Sequence, residues 1–133
     1  DAAQSMYDEG ADIVYHAAGG AGLGVFQAAQ ASNRYAIGVD SDQSRSNPQY
    51  ADVILASMVK RVDNAVYNAT GNVVSGDFQG GQTVPLGLEA GGVEVVYGTS
   101  LEPAIPDSVK TALETSKAAI VSGEITVPTE VEG

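Results

Sequence analysis

The sequence contains no cysteine and no tryptophan, and it has a single histidine among its 133 residues. Without cysteine there is no disulfide framework, no thiol nucleophile and no thiolate metal site. The lone histidine, His16, leaves no second imidazole for a histidine-based metal cluster and no spare for a Ser-His-Asp triad. We therefore predict no metal site, no cofactor and no catalytic group, and we interpret His16 as a structural residue at the end of a strand.

Positive charge is also scarce, because six lysines and arginines stand against 17 aspartates and glutamates, which gives a formal net charge of −11 at pH 7. So few cations do not neutralise the phosphates of a nucleic acid, and we predict no nucleic-acid partner. The acidity also suits a halophilic host, because high salt screens the repulsion between like charges.

Long apolar runs are absent as well, since no window approaches the roughly 18 consecutive apolar residues of a membrane-spanning helix. The chain begins at Asp1 with neither an initiator methionine nor a signal sequence. We expect either that a leader was removed or that the chain is a piece of a longer protein.

Short apolar runs rich in Val, Ile and Ala predict buried strands at residues 13–18, 35–40 and 53–56. Helical patterns alternate with them at residues 1–9, 25–31 and 59–70. A last helix is predicted from an N-cap at Asp107 to a stop at Gly123, with a core stripe of Val109, Ala112, Leu113 and Ile120. This alternation predicts an α/β fold with a doubly wound, mostly parallel sheet.

The glycine-rich stretch 76–98 differs from the rest of the chain, because Val93, Val95 and Tyr97 alternate with other residues between turn signals. We predict a β-hairpin there. The chain length suits one domain, so we predict a single lobe over residues 1–133, with a flexible acidic tail at 126–133.

Gly19 and Gly20 begin a glycine cluster between the first predicted strand and the next helix. A phosphate or sugar can approach backbone N–H groups at such a helix N-terminus. A dinucleotide fingerprint would require a third glycine where Val25 or Gln27 stands, so the match is weak. Tight turns that let the helix pack on its strand are the simpler interpretation.

Asp40 ends the second predicted strand and Lys60 follows the third, at the carboxyl ends of the strands, where parallel α/β sheets bind ligands. The Asp40 carboxylate can accept hydrogen bonds from two vicinal hydroxyls, although a role in an N-cap or Asx-turn is equally consistent with its position. Lys60 can donate to a sugar hydroxyl or to a neighbouring carboxylate, although most lysines are simply solvated. Tyr15, Phe26 and Tyr50 can stack on a base, but Phe26 lies at core spacing.

Three motifs together resemble one family: GADIVYHAAGG at 10–20, YAIGVDSDQ at 35–43 and ASMVKRVD at 56–63. In this order and spacing they are similar to the C-terminal half of the basic-membrane-protein family of substrate-binding lipoproteins. Members of that family serve ABC importers and, in known cases, bind purine nucleosides. Glycine-rich residues at 80–93 and the stretch 105–125 also fit, so the resemblance covers nearly the whole chain.

The resemblance implies one lobe of a type I periplasmic-binding-protein fold, in which ligand is enclosed between two lobes. It implies that Asp40 and Lys60 hold the ribose hydroxyls of a nucleoside or related sugar, and that the sugar approaches the backbone at Gly19 and Gly20. The implied partners are a membrane ABC permease and an N-terminal lobe that this chain lacks. The implied location is extracytoplasmic, at the cell surface or in the periplasm, with a membrane anchor on the full-length protein.

Two alternatives remain at this point. The strand expected before the first helix is missing, which leaves an unpaired sheet edge that invites self-association. The chain would then be a truncated lobe with a structural, self-assembling role as a homo-oligomer. The glycine cluster and Asp40 together suggest the second alternative, a small nucleotide-dependent oxidoreductase.

Overall fold

The computed structural model describes residues 2–128 of the chain. Its helices are α1 Ala2–Asp8, α2 Leu23–Ser32, α3 Gln43–Ser46, α4 Val62–Ser75 and α5 Asp107–Val121, and its strands are β1 Ile13–Tyr15, β2 Tyr35–Asp40, β3 Ile54–Lys60 and β4 Val93–Tyr97. Short 3-10 turns lie at Gly19–Gly22, Pro48–Tyr50 and Glu102–Ala104. Asp1 of the predicted first helix and residues 129–133 of the predicted flexible tail lie outside the described residues.

The chain divides into two compact units. The assignment of residues 1–133 to a single lobe stays a prediction. Unit 1 contains residues up to Arg61 together with Val93–Ile105. Among the described residues, unit 2 contains Val62–Gly92 together with 106–128. All four strands, and every residue that the sequence singled out as a ligand contact, belong to unit 1.

The sheet of unit 1 has the strand order β1-β2-β3-β4. β1 pairs with β2 and β2 pairs with β3 in parallel, whereas β4 lies antiparallel to β3. The predicted α/β class with a mostly parallel sheet is therefore confirmed. Because β1, β2 and β3 run in the same direction, their carboxyl ends meet at one edge of the sheet, which is where such sheets bind ligands.

The core of unit 1 lies where α1 and α2 cover β1 and β2. Phe26 and Ile54 are fully buried at its centre, with Ala29 and Ala36 beside them. The hydroxyl of Tyr7 donates to the carbonyl oxygen of Tyr35 at 2.7 Å, so this buried phenol has a partner. The burial of Phe26 confirms its assignment to the core and removes it as a stacking surface for a ligand.

The predicted hairpin at 76–98 is wrong. Among the described residues of that stretch only β4 forms a strand, and its partner is β3. Gly76, Gly81 and Gly91 have positive φ angles, which turn the chain repeatedly before β4 begins. The pairing of β4 with a strand more than thirty residues earlier, such as Met58 with Val95, replaces the local pairing that the pattern suggested.

Several element boundaries also differ from their predictions. The third strand runs on to Lys60, so α4 begins at Val62 and not at Val59. α4 also continues through Gly71 to Ser75, and Gly76, with a φ of 84°, follows it. The first strand is shorter than predicted, because the chain leaves the sheet after Tyr15.

The last helix is present, but its predicted cap and core stripe are wrong. Pro106 is the N-cap and Asp107 is the first helical residue, where its charge interacts favourably with the helix dipole. α5 contains no buried residue, and Val109 and Leu113 of the predicted stripe are exposed.

Unit 2 consists of α4, α5 and the irregular segment that follows α4. Within it, Nδ2 of Asn64 donates to the carbonyl oxygen of Gly91 at 2.8 Å. None of the helices within residues 2–128 has both the length and the apolar character that crossing a membrane requires.

Candidate functional site

Asp40 and Lys60 are the last residues of β2 and β3, and their side chains form an ion pair. Nζ of Lys60 lies 2.8 Å from Oδ1 of Asp40, and the two side chains are 57% and 49% exposed. The hydrogen bond to Asp40 and the charge of that carboxylate raise the pKa of Lys60 above its ordinary value. The structure brings these two predicted ligand residues into contact at the carboxyl ends of their strands.

Asp40 adopts a backbone conformation that is uncommon for a residue with a side chain. Its φ is 71°, and the N–H of Ser41 donates to the carbonyl oxygen of Val39 across it at 2.9 Å. A sparsely populated conformation of this kind costs about 1–3 kcal/mol and is retained mainly at functional sites. The turn lifts the Asp40 carboxylate toward Lys60 at the end of the neighbouring strand.

Gly19 and Gly20 lie in the 3-10 turn that precedes α2. Gly19 has a φ of 51°, and no atom lies within 4 Å of the place where a Cβ would stand on either glycine. The turn follows the carboxyl end of β1 and contacts β2 as well as α2. The role of these two glycines in approaching a ligand stays a prediction.

His16 follows β1 directly and is buried against the core. Its ring meets that of Phe26 edge to face, with the centroids 5.3 Å apart, and its Nδ1 accepts a long hydrogen bond from the N–H of Ala18 at 3.4 Å. Burial lowers the pKa of His16, while Gln43 and the charge of Asp40 oppose that effect. Nε2 is buried and makes no hydrogen bond of good geometry within the described residues. Burial agrees with the interpretation of His16 as structural, although its hydrogen bonding is incomplete.

The sequence assigned no role to a polar network behind Asp40. Ser44 and Ser57 are almost fully buried, and Oε1 of Gln43 accepts the N–H of Val39 at 2.9 Å. The signal that would have revealed this network is Gly38, because a glycine inside a strand often marks the close approach of another group.

The two tyrosines that the sequence proposed for stacking on a base lie in different surroundings. Tyr15 is exposed on the edge strand β1, whereas Tyr50 packs toward Phe26 with ring centroids 6.1 Å apart.

Among residues 2–128, no group of three or more histidine or carboxylate side chains is arranged to hold a metal ion.

Unit 2 has a cavity of about 450 Å³ between α4 and the segment after it, lined by Ala65, Phe78 and Leu86 among others. None of the ligand residues that the sequence predicts lines that cavity.

The family model for ABC transporter substrate-binding proteins of the PnrA-like type matches residues 1–130. The chain belongs to that family. The resemblance to basic membrane proteins is thereby confirmed, with curated relatives that include basic membrane protein D of Borreliella burgdorferi, at 36% identity over 95% of this chain and 37% of that protein. The ABC transporter nucleoside-binding protein BmpA of Lactococcus lactis is 34% identical over 96% of this chain and 39% of its own length.

Solved structures agree with the family assignment. A solute-binding protein of an ABC transporter system from Aeropyrum pernix superposes with a TM-score of 0.77 at 28% identity, over 98% of this chain and 44% of that one. A second, from Conexibacter woesei, has a TM-score of 0.73 at 22% identity and supports the fold alone. The chain spans less than two fifths of the curated relatives' length. These relatives are described as substrate-binding or solute-binding proteins of ABC transporters, and none of those named here is described as an oxidoreductase.

Proposed function

We propose that this chain supplies the ribose-holding part of a nucleoside site in an ABC importer, and that it binds its ligand without chemistry. The observation that carries the proposal is the Asp40–Lys60 ion pair, 2.8 Å long, at the carboxyl edge of the parallel strands. Both residues lie within the motifs that resemble the family, and one curated relative is named as a nucleoside-binding protein.

The two side chains have complementary hydrogen-bonding capacity for a sugar diol. An ionised carboxylate only accepts hydrogen bonds and has room for several, whereas an ammonium only donates. Vicinal hydroxyls can donate to Asp40 and accept from Lys60 at the same time. Because the pair is already formed, the ligand meets two groups that hold each other in place, which lowers the entropic cost of binding.

The charge arrangement favours a neutral ligand over an anionic one. The ion pair is neutral as a unit, while the chain as a whole carries a net charge of −11. A phosphorylated nucleotide would be repelled by that field and would find one paired cation at the site. A nucleoside or a related free sugar has no such cost.

The larger assembly is part of the proposal. The matched relatives are more than twice as long as the aligned region, so we place a second, N-terminal lobe opposite Asp40 and Lys60 in the full-length protein. That protein would act outside the cytoplasm with a lipid anchor and deliver its ligand to a membrane permease. The high acidity is consistent with a halophilic host.

The proposal is tested by calorimetric titration with guanosine, 2′-deoxyguanosine, 3′-deoxyguanosine and ribose in molar salt. We expect guanosine to bind and each deoxy analogue to bind roughly tenfold more weakly or worse, since a lost hydroxyl leaves Asp40 or Lys60 without its ligand partner. Chromatography after prolonged incubation should recover guanosine unchanged. Equal affinities for guanosine and both deoxy analogues would contradict the ribose site, and any cleavage would contradict binding without chemistry.

A second role, self-association, is favoured by one observation. β1 lies at the edge of the described sheet, and its residues Ile13 and Tyr15 are 48% and 53% exposed. An exposed apolar edge is a template for pairing with another chain. Sedimentation over a range of protein concentrations should then show oligomers that Ile13→Lys abolishes. Monomers at every concentration would exclude this role.

A further inference from the structure

The turn at Asp40 requires stabilisation from outside the strand. Its positive φ and the three-residue hydrogen bond from Ser41 to Val39 describe a γ-turn, which is rare and strained for a residue with a side chain. Such a conformation persists only where the surrounding contacts fix it. The contacts around Val39 and Asp40 therefore determine where the carboxylate points.

Gln43 bonds to this turn from the next helix. Its Oε1 accepts the N–H of Val39 at 2.9 Å, immediately before Asp40. Its own N–H donates to Oγ of Ser57 at 3.1 Å, and Ser57 is almost fully buried on β3. Gln43 thus connects the two strands that end in Asp40 and Lys60.

Gly38 makes room for this connection. It pairs with Ser57 in the β2–β3 register. A Cβ on Gly38 would lie 2.7 Å from Oγ of Ser57 and 2.8 Å from Oε1 of Gln43, closer than real side-chain contacts allow. The glycine therefore lets the Gln43 side chain cross the strand and reach Val39.

The position of Gln43 is fixed in turn by capping contacts in α3. Oδ1 of Asp42 accepts from the N–H of Ser44 at 3.1 Å and from its hydroxyl at 2.6 Å. The buried Ser44 hydroxyl oxygen also accepts the N–H of Thr99 at 3.0 Å. A helix of one turn is unstable alone, so these bonds are what hold Gln43 against the strand ends.

We propose that Gln43 is a positioning residue for the ligand site: its side-chain carbonyl fixes the turn at Val39 and so directs the Asp40 carboxylate toward Lys60 and the bound hydroxyls. The inference rests on the proposed function, because it names the residue that sets the geometry of that site. Gln43 acts through Val39 and Asp40 and requires no contact with the ligand.

The test compares Gln43→Met, which keeps the length and removes the acceptor, with Gln43→Glu, which keeps an acceptor oxygen. The matched control is Gln30→Met, since Gln30 bonds instead to Gln49 and Asp52. In guanosine titrations we expect Gln43→Met to lose roughly tenfold in affinity, Gln43→Glu to recover most of that loss, and Gln30→Met to match the wild type. Unchanged binding by Gln43→Met would overturn the inference and leave the proposed function intact.

A second readout requires no ligand. The pKa of Lys60 is followed by NMR at its Nζ and Cε, since Asp40 raises that pKa in the native geometry. In Gln43→Met it should fall toward the ordinary lysine value, whereas a loss of global stability alone would not move it in the folded protein. If the wild type binds no nucleoside, the proposed function fails, and this pKa comparison alone decides whether Gln43 positions the pair.

A further variant covers the case in which Gln43→Met does not fold. Ser57→Ala removes the acceptor of the Gln43 backbone N–H and leaves the Gln43 side chain in place. We expect a smaller change in the same direction for both guanosine affinity and the Lys60 pKa. No change in either quantity would overturn the inference.

Discussion

The ring of His16 occupies the place where a Cβ on Gly22 would stand. This contact joins the end of β1 to the 3-10 turn at Gly19–Gly22, and so to the start of α2. The turn that presents Gly19 and Gly20 at the sheet edge is thereby packed on a buried imidazole. The glycine at position 22 is therefore explained by the close approach of the His16 side chain to the backbone of this turn.

Gly22→Ala should destabilise the protein by about 1–3 kcal/mol, because an extra methyl group forced into a packed site shifts its neighbours. The matched variant is Gly20→Ala in the same turn, where nothing lies within 4 Å of the added Cβ. Urea unfolding should show a lower midpoint for Gly22→Ala and little change for Gly20→Ala. Equal midpoints in the two variants would mean that His16 does not pack as described.

Stability should fall as the pH drops below about 6.5, the ordinary histidine value in the unfolded chain. Burial lowers the pKa of His16 in the folded state, so the unfolded chain takes up a proton first and is favoured as the pH falls. The contribution of His16 to the slope of the free energy of unfolding against pH cannot exceed about 1.4 kcal/mol per pH unit. Stability continues to fall until the pH passes through the lowered pKa of His16 in the folded state.

The measurement is the free energy of unfolding of wild type and His16→Gln from about pH 7.5 down to about pH 5.5, where histidine dominates the titration. Subtracting the two curves isolates His16 from the carboxylates, Asp40 included. The wild type should lose more stability than the variant over this range. Parallel curves would show that His16 keeps an ordinary pKa when folded.

Asp40→Gly should separate stability from binding. Removing an exposed ion pair costs about 0–1 kcal/mol, whereas relieving the positive φ gains about 1–3 kcal/mol, so the free energy of unfolding should not fall. Guanosine binding should be lost nevertheless. Asn33→Gly is the control, because Asn33 also has a positive φ, of 51°, at the C-cap of α2 and should affect stability alone. A large loss of stability in Asp40→Gly would show that Asp40 is mainly a structural residue.

Much of unit 1 follows from the sequence. The apolar run 35–40 predicted β2 with its observed bounds, and strand-helix alternation predicted the parallel pairs on either side of it. A residue near the carboxyl end of a parallel strand lies where such sheets bind ligands, so Asp40 and Lys60 were identifiable before their contact was known. The local sequence pattern is enough to predict a strand that is buried and that pairs with the next strand along the chain.

The remaining features depend on long-range contacts that no local pattern encodes. The residues around Val95 alternate as they would in a hairpin strand, yet Val95 pairs with Met58 on β3. The apolar run that predicted the third strand ends before Met58, so the sequence did not indicate this partner. The apolar stripe of α5 predicted burial, but Val109 and Leu113 are exposed in unit 2. The role of Gln43 depends on the positive φ of Asp40, which the sequence does not reveal.

The central claim is that the Asp40–Lys60 pair forms a ribose site, and one calorimetric comparison tests it most directly. Asp40→Ala removes one side of this pair, and Asp12→Ala breaks a comparable surface ion pair with Arg34, 2.6 Å long, elsewhere in unit 1. In molar salt we predict that guanosine binding falls roughly tenfold or more in Asp40→Ala and is unchanged in Asp12→Ala. Equal binding of guanosine by the wild type and Asp40→Ala would contradict the account.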